Sequence, residues 1–196
     1  MNKSQAIQKI RDFDKKGKFV FKKHDMGKLF PDDNPKALEE GLRRLVKAGL
    51  LIRACHGVYV NDYAQSKDSY LIEHIAKLLR RGEYNYVSLE SMLSEYGIIS
   101  QIPIDRLTIM TTGRKGIYKT PYGVIEFTHT KRSVADILNS IKKIEGRPLR
   151  VATKETAVRD LKRVGRNINL LHQESNEVGK VLDENPKKKG DDKERV

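Results

Sequence analysis

Apolar side chains near the start of the chain recur at helical spacing and then change to an extended pattern. They return every three or four positions from Ala6 to Phe13, which predicts a first helix with Ser4 as its N-terminal cap and Gly17 at its end. A β-prone run at 19–21 follows, and the apolar positions in 24–30 then predict a short second helix. Two helices separated by a short extended segment are therefore expected.

The clearest helix start in the chain is Asn34 followed by Pro35. An asparagine side chain accepts hydrogen bonds from the free amides of a first turn, and proline suits the first helical position. The predicted third helix ends at Gly49, and the β-prone runs at 50–53 and 58–60 are joined by a tight glycine turn, which predicts a β-hairpin. Three helices followed by a hairpin form the element order of a winged helix-turn-helix, which we expect over residues 1–62.

Residues 66–182 are expected to form a second domain of helices and an antiparallel sheet, so that the whole chain is of the α+β class. The predicted elements are helices near 66–82 and 89–96, strands at 107–111, 116–120 and 124–128, and helices at 134–144, 154–164 and 168–182. Short glycine turns between the three strands predict an antiparallel meander. Residues 183–196 have balanced charges and few apolar side chains, and are expected to be a disordered tail.

The chain is strongly basic, with 39 Lys and Arg residues against 26 Asp and Glu residues and a net charge of +13. Residues 1–65 hold 14 basic and 8 acidic side chains, which is +6, and leave +7 for the rest. Such a field concentrates polyanions, so nucleic acid is the expected partner.

Location and redox state are predicted from what the sequence lacks. It has no apolar run long enough to span a bilayer and no signal-peptide core, so we expect a cytoplasmic protein without a membrane partner. The lone Cys55 cannot form an intramolecular disulfide and is expected to be a small apolar filler beside the hairpin.

The third helix is the natural reader of the major groove, because that groove admits one helix and arginine can hydrogen-bond guanine edges there. The basic residues expected to contact bases or phosphates, from the approach to the second helix through the third helix to the wing, are Lys22, Lys23, Lys36, Arg43, Arg44, Lys47, Arg53 and His56. Glu39 and Glu40 share the outer face of this helix, where they repel phosphate and can pair with the basic residues. A solvated charged face, or a winged helix that binds protein, is the competing interpretation.

Several short stretches in this order resemble the AbiEi-type antitoxins of type IV toxin-antitoxin, or abortive infection, systems. They are Gly17–Phe21, Leu42–Leu45, Gly49–Arg53, Gly57–Tyr59, Tyr86–Leu89, Tyr96–Ile98, Thr111–Gly113, Ile125–Phe127 and the region of His129. The resemblance implies a phage-defence protein whose winged helix binds operator inverted repeats and represses its own operon. It also implies a C-terminal domain that counters a nucleotidyltransferase-like toxin, without a stable complex being required.

The second domain offers further basic groups but little chemistry. Arg114 and Lys115, in a Gly-x-x-Gly turn, and Lys131 and Arg132 are expected as additional phosphate contacts, although the turn joins strands rather than the two helices of a KH-type clamp. The helix over 154–166 has a basic face that could meet DNA or an acidic partner.

No catalytic, metal or cofactor motif is present in the sequence, and the protein is not expected to be an enzyme. A DNA-binding protein of this type could also dimerise on the DNA. Two alternatives to it remain open. In the first, the second domain binds a toxin or other protein directly beside a structural winged helix. The second and weaker alternative is a magnesium nuclease built from Asp105, Glu126 and Lys131.

Overall fold

The computed structural model describes residues 2–99 and 105–171, which form a mixed α+β fold. Its elements in chain order are α1 (Lys3–Asp14), β1 (Val20–Lys22), α2 (Lys23–Leu29), α3 (Pro35–Lys47), β2 (Ile52–Cys55), β3 (Val58–Val60), α4 (Leu71–Leu79), β4 (Asn85–Val87), α5 (Glu90–Glu95), β5 (Arg106–Thr111), β6 (Gly116–Thr120), β7 (Gly123–His129), α6 (Val134–Leu138), β8 (Ile141–Lys142), β9 (Arg150–Ala152) and α7 (Lys154–Val164). The strands form one sheet of order β1-β3-β2 and another of order β6-β7-β5-β4-β9-β8. In the described ranges, no helix combines the length and the apolar character needed to cross a membrane.

Side-chain caps fix the helix starts of residues 2–62, which we call the N-terminal module. Asn34 Oδ1 accepts a hydrogen bond from Ala37 N at 2.8 Å with Pro35 at the first helical position, as predicted. The predicted cap of α1 was wrong: Asn2 takes that place, and its Oδ1 accepts from Ser4 N at 3.0 Å. Asn2 does this because it lies two residues before a free amide of the first turn, while Ser4 is already helical.

The small sheet of the N-terminal module is buried on both faces. In β1 and β3, Val20 pairs with Val60 and Phe21 with Tyr59, so the two pairs point to opposite sides. Phe21 and Tyr59 pack against α1, α2 and α3, whereas the valines join the core formed with the rest of the chain. The predicted hairpin is present, but one of its faces lies against the second part of the protein.

Residues 66–99 and 105–171, the C-terminal module, do not contain the predicted antiparallel meander. β7 lies between β5 and β6, parallel to β5 and antiparallel to β6. β4 also pairs in parallel with β9, so the sheet is mixed. The order follows burial, since β7 has a buried stretch at 125–127 that suits a central strand, while β6 alternates between exposed and half-buried positions and suits an edge.

The C-terminal part of the described chain differs from the helices predicted there. The helix expected over 134–144 ends at Leu138, because Ile141 pairs with Ala152 and draws the chain into the sheet. The helix over 154–164 is confirmed, with Thr153 as its cap and Gly165 at a φ of +72° at its end. The predictions for residues 172–182 and for the tail at 183–196 lie outside the described residues.

Polar and aromatic contacts join the two modules in addition to the shared apolar core. Arg81 makes two hydrogen bonds to the carboxylate of Asp25 in α2, at 2.6 and 2.7 Å. Asp14, at the end of α1, accepts hydrogen bonds from the backbone and hydroxyl of Ser66. The predicted boundary between residues 62 and 66 stays a prediction, and these contacts fix the orientation of the parts on either side of it.

Candidate nucleic-acid interface

The outer face of α3 carries the basic residues expected to read DNA. Lys36 lies at the exposed start of the helix, and Arg43, Arg44 and Lys47 are exposed on its later turns. The opposite face is buried through Leu38, Gly41, Leu42 and Leu45, which hold the helix against the module core. The side chain of Arg43 is 77% exposed, so its guanidinium can reach a groove or a phosphate without unfolding anything.

A shallow groove next to α3 brings together predicted residues from three separate elements. Lys22 at the end of β1, Lys23 at the start of α2 and His56 at the hairpin tip all line it, beside the first turn of α3. Arg53 Nη2 lies 3.3 Å from His56 Nδ1 in the same hairpin. The sequence separates Lys22 and His56 by more than 30 positions, and the pairing of β1 with β3 brings them to the same edge.

Two acidic residues of α3 offset part of this positive charge. Lys23 Nζ lies 2.6 Å from Glu39 Oε2, and Arg43 makes hydrogen bonds of 2.9 and 3.0 Å to Glu40. The hydrogen bond from Lys23 lowers the pKa of Glu39, and the charges of Arg53 and His56 act in the same direction. Exposed pairs of this kind contribute only about 0 to 1 kcal/mol, so a phosphate can replace either carboxylate at little cost.

The connection between β5 and β6 exposes Arg114 and Lys115. The prediction that it is a hairpin turn was wrong, because β7 lies between these two strands in the sheet. Arg80 Nε donates to the carbonyl of Arg114 at 2.9 Å, and its guanidinium lies over the ring of Phe127 at 4.6 Å. The neighbouring Arg81 binds Asp25 of α2, so this connection lies on the side of the C-terminal module that meets the N-terminal module.

Lys131 and Arg132 follow β7 and leave the sheet at the same end as the connection at 113–115, since Thr111 pairs with His129. They line a recess together with Ser133, Asp136, Arg159 and Arg163, and we call this surface the α7 recess. The sequence indicated a basic α7 but not that α7 would bring its arginines to Lys131. That meeting depends on α7 packing against β9 and α5, which no local signal reveals.

Arg166 follows the end of α7 and is not part of a free basic face. Its guanidinium bridges the buried carboxylates of Glu90 and Glu126. Arg106 binds the other oxygen of Glu126 at 2.5 Å. Burial by itself raises the pKa of Glu126, but the hydrogen bonds from Arg166 and Arg106 outweigh it and hold the pKa below its usual value.

The surroundings of Glu126 and Lys131 do not fit the alternative of a magnesium nuclease. Both oxygens of Glu126 are bound by arginines, and Lys131 lies in the α7 recess instead. Within residues 2–99 and 105–171, no three His, Cys, Asp or Glu side chains are grouped so that they could hold a metal ion. Cys55 packs against the core beside the hairpin, where burial raises the pKa of its thiol.

A buried polar cluster behind the α7 recess was missed in the sequence. The carboxylate of Asp160 is only 1% exposed and accepts hydrogen bonds from Tyr86 Oη at 3.0 Å and Ser88 Oγ at 2.9 Å. Burial and the nearby Asp160 charge raise the pKa of Tyr86, which keeps its hydroxyl protonated as a donor. In a helix otherwise rich in surface charge, nothing in the sequence distinguishes Asp160 from an exposed aspartate.

Comparisons with known proteins give no family for this chain. No family model matches it, and no curated protein matches it. Among solved structures, it is similar to the RV2827C protein from Mycobacterium tuberculosis, with a TM-score of 0.47 and 15% sequence identity over 71% of this chain and 48% of that one. The chain therefore spans about half the length of that protein, and a likeness of this size carries no inference about function.

Proposed function

We propose that this protein is a DNA-binding regulator whose N-terminal module acts as a winged helix, and more narrowly that it is the antitoxin and autorepressor of a type IV toxin-antitoxin operon. In this proposal α3 enters the major groove of an operator repeat, and the hairpin tip contacts the adjacent backbone. The C-terminal module counters a nucleotidyltransferase-like toxin in the cytoplasm. The narrower proposal is supported by the sequence resemblance to AbiEi-type antitoxins.

The observation that carries the DNA-binding proposal is the arrangement around α3. Three cations on the outer face, Arg43, Arg44 and Lys47, follow one another along an exposed helix whose inner face is fully packed. The hairpin tip with Arg53 and His56 lies close enough to α3 to influence Glu39. α3 and the hairpin tip therefore present their cations on neighbouring surfaces, which supports the proposal that both contact one duplex.

A mobility-shift assay with the region upstream of its own gene tests this proposal. At about 150 mM salt, the protein should prefer that region over scrambled DNA of equal length. The double variant Arg43→Gln with Arg44→Gln should weaken specific binding by about 1 to 3 kcal/mol for each lost base contact. The matched control is Lys142→Gln with Lys143→Gln, which removes the same charge from an exposed segment of the C-terminal module. Equal losses in both variants, or no preference for the upstream region, would contradict the proposal.

A second candidate is a protein-interaction module with a structural N-terminal module. The pairs Lys23 with Glu39 and Arg43 with Glu40 favour it, because they reduce the positive field of α3. Ile117 on the edge strand β6 is also 60% exposed, which is unusual for a large apolar side chain. Stoichiometric co-purification with the nucleotidyltransferase-like toxin, together with no preference for the upstream DNA, would favour this candidate over the first.

A further inference from the structure

The α7 recess concentrates positive charge where the segment after β7 meets the middle of α7. Four of its six lining residues are cations and one, Asp136 at the rim, is a carboxylate. The buried Asp160 lies behind the recess, and Glu155 lies beside Arg159 and Arg163 on α7. The Asp136 carboxylate accepts a hydrogen bond from Ser133 Oγ at 2.7 Å. The cations that line the recess therefore outnumber the carboxylates around it.

Arg159 of the recess has donors that the described chain does not use. Its Nε and Nη2 are buried and have no hydrogen-bond acceptor among residues 2–99 and 105–171, whereas the side chain of Arg132 interacts with the Tyr86 hydroxyl. Arg132 Nη2 donates to the carbonyl of Asp136 at 2.8 Å, which anchors that side chain at the rim. A buried donor without an acceptor costs about 1 to 3 kcal/mol, so the native chain gains free energy from an acceptor that reaches it.

The buried Asp160 lies beside Arg159 without accepting a hydrogen bond from it. Arg159 Nε lies 3.8 Å from Asp160 Oδ1, which is within ion-pair range but beyond a hydrogen bond, and this oxygen also has no hydrogen-bond partner in the described part of the chain. Tyr86 and Ser88 hold the other oxygen of the carboxylate. The side chain of Arg159 is 39% exposed, so a small rotation presents its unused nitrogens to the recess.

We propose that the α7 recess binds a phosphate group through Arg132 and Arg159, with Lys131 and Arg163 at its edge. The planar fork of a guanidinium matches the oxygens of phosphate, and charge-assisted hydrogen bonds of this type are strong and directional. The lining has no aromatic side chain on which a base could stack, so the recess recognises the phosphate itself and is indifferent to the base. The phosphate can belong to a free nucleotide or to a nucleic-acid strand. This site is separate from the proposed operator surface of α3, and neither depends on the other.

The test is a titration of the full-length protein with inorganic phosphate, followed through the arginine side-chain Nε–Hε signals in an NMR spectrum. Chloride replaces phosphate to keep the ionic strength constant, so that a general salt effect cancels. Saturable shifts of the Arg132 and Arg159 signals are expected. Parallel titrations with ATP and with a short single-stranded oligonucleotide show which class of molecule supplies the phosphate. The ligand with the higher affinity is the class that the recess prefers.

Substitutions in the recess test whether it is the site of phosphate binding. Arg159→Gln should weaken phosphate binding at least about tenfold, the worth of one charge-assisted hydrogen bond. Lys143→Gln, which removes one exposed charge outside the recess, should leave binding unchanged. If circular dichroism shows that Arg159→Gln does not fold, Lys131→Gln at the exposed edge replaces it and should also weaken phosphate binding.

The Arg159→Gln protein should still bind the upstream DNA. That result would show that the phosphate site of the recess and the proposed operator surface of α3 are independent. Unshifted arginine signals, or equal weakening by the recess variant and Lys143→Gln, would overturn the proposal.

Discussion

The two modules are both basic, but they differ in how deeply their ion pairs are buried. In the N-terminal module, Arg43 of α3 pairs with Glu40, and both side chains are exposed. In the C-terminal module, Arg147 is 5% exposed and binds Glu73, which is 3% exposed, and Glu95 at the surface. The exposed pairs of α3 and the buried pair of Arg147 with Glu73 therefore differ in burial, which net charge alone does not reveal.

The largest expected contrast is in stability. Arg147→Ala leaves the carboxylate of Glu73 buried without its partner, and should lower the free energy of unfolding by about 3 kcal/mol. Arg43→Ala, the matched change on the exposed helix, should alter it by less than about 0.5 kcal/mol. Urea denaturation followed by circular dichroism measures both. Equal effects of the two substitutions would remove the distinction between the modules.

A smaller effect is expected at the contact between the modules, where Asp25 binds Arg81. The hydrogen bonds from Arg81 lower the pKa of Asp25 to about 2. A folded-state pKa below the unfolded one means that the stabilisation is present above about pH 4 and is lost as the pH falls towards 2. Because Arg81 is 46% exposed, we expect solvent screening to reduce this contribution to about 1 kcal/mol.

Denaturation of the wild-type protein and the Asp25→Asn variant across this pH range measures the contribution. The difference between the two proteins should be close to its full value at pH 7 and should vanish near pH 2. A difference that stays constant with pH would show that the Asp25 carboxylate is not stabilised by Arg81.

The N-terminal module could be predicted closely from sequence because its signals are local. Asn34 with Pro35 and the glycine of the hairpin turn specify their own neighbourhoods, and the structure agrees with them. What the sequence could not reveal is that the valine face of the hairpin is covered by the C-terminal module, because this depends on packing between distant segments.

The C-terminal module was harder to predict because its sheet depends on pairing between distant segments of the chain. Its short strands β4, β8 and β9 have two or three residues each, too few to show alternation. β4 pairs in parallel with β9, which lies far away in the chain, and no local signal predicts that pairing. The insertion of β7 between β5 and β6 also cannot be read from turn lengths. The candidate recess follows from that topology, since it forms only when α7 packs beside the end of β7.

The salt dependence of binding to the upstream DNA tests the central claim most directly, because it counts the phosphate contacts that each module makes. The slope of log K against log salt changes by about 0.9 for each phosphate contact on duplex DNA. Relative to the wild-type protein, the Arg43→Gln with Arg44→Gln variant should have a slope shallower by up to about 2, while Arg159→Gln should leave the slope unchanged. An unchanged slope in the α3 variant, or a shallower one in Arg159→Gln, would contradict the assignment of duplex binding to the N-terminal module.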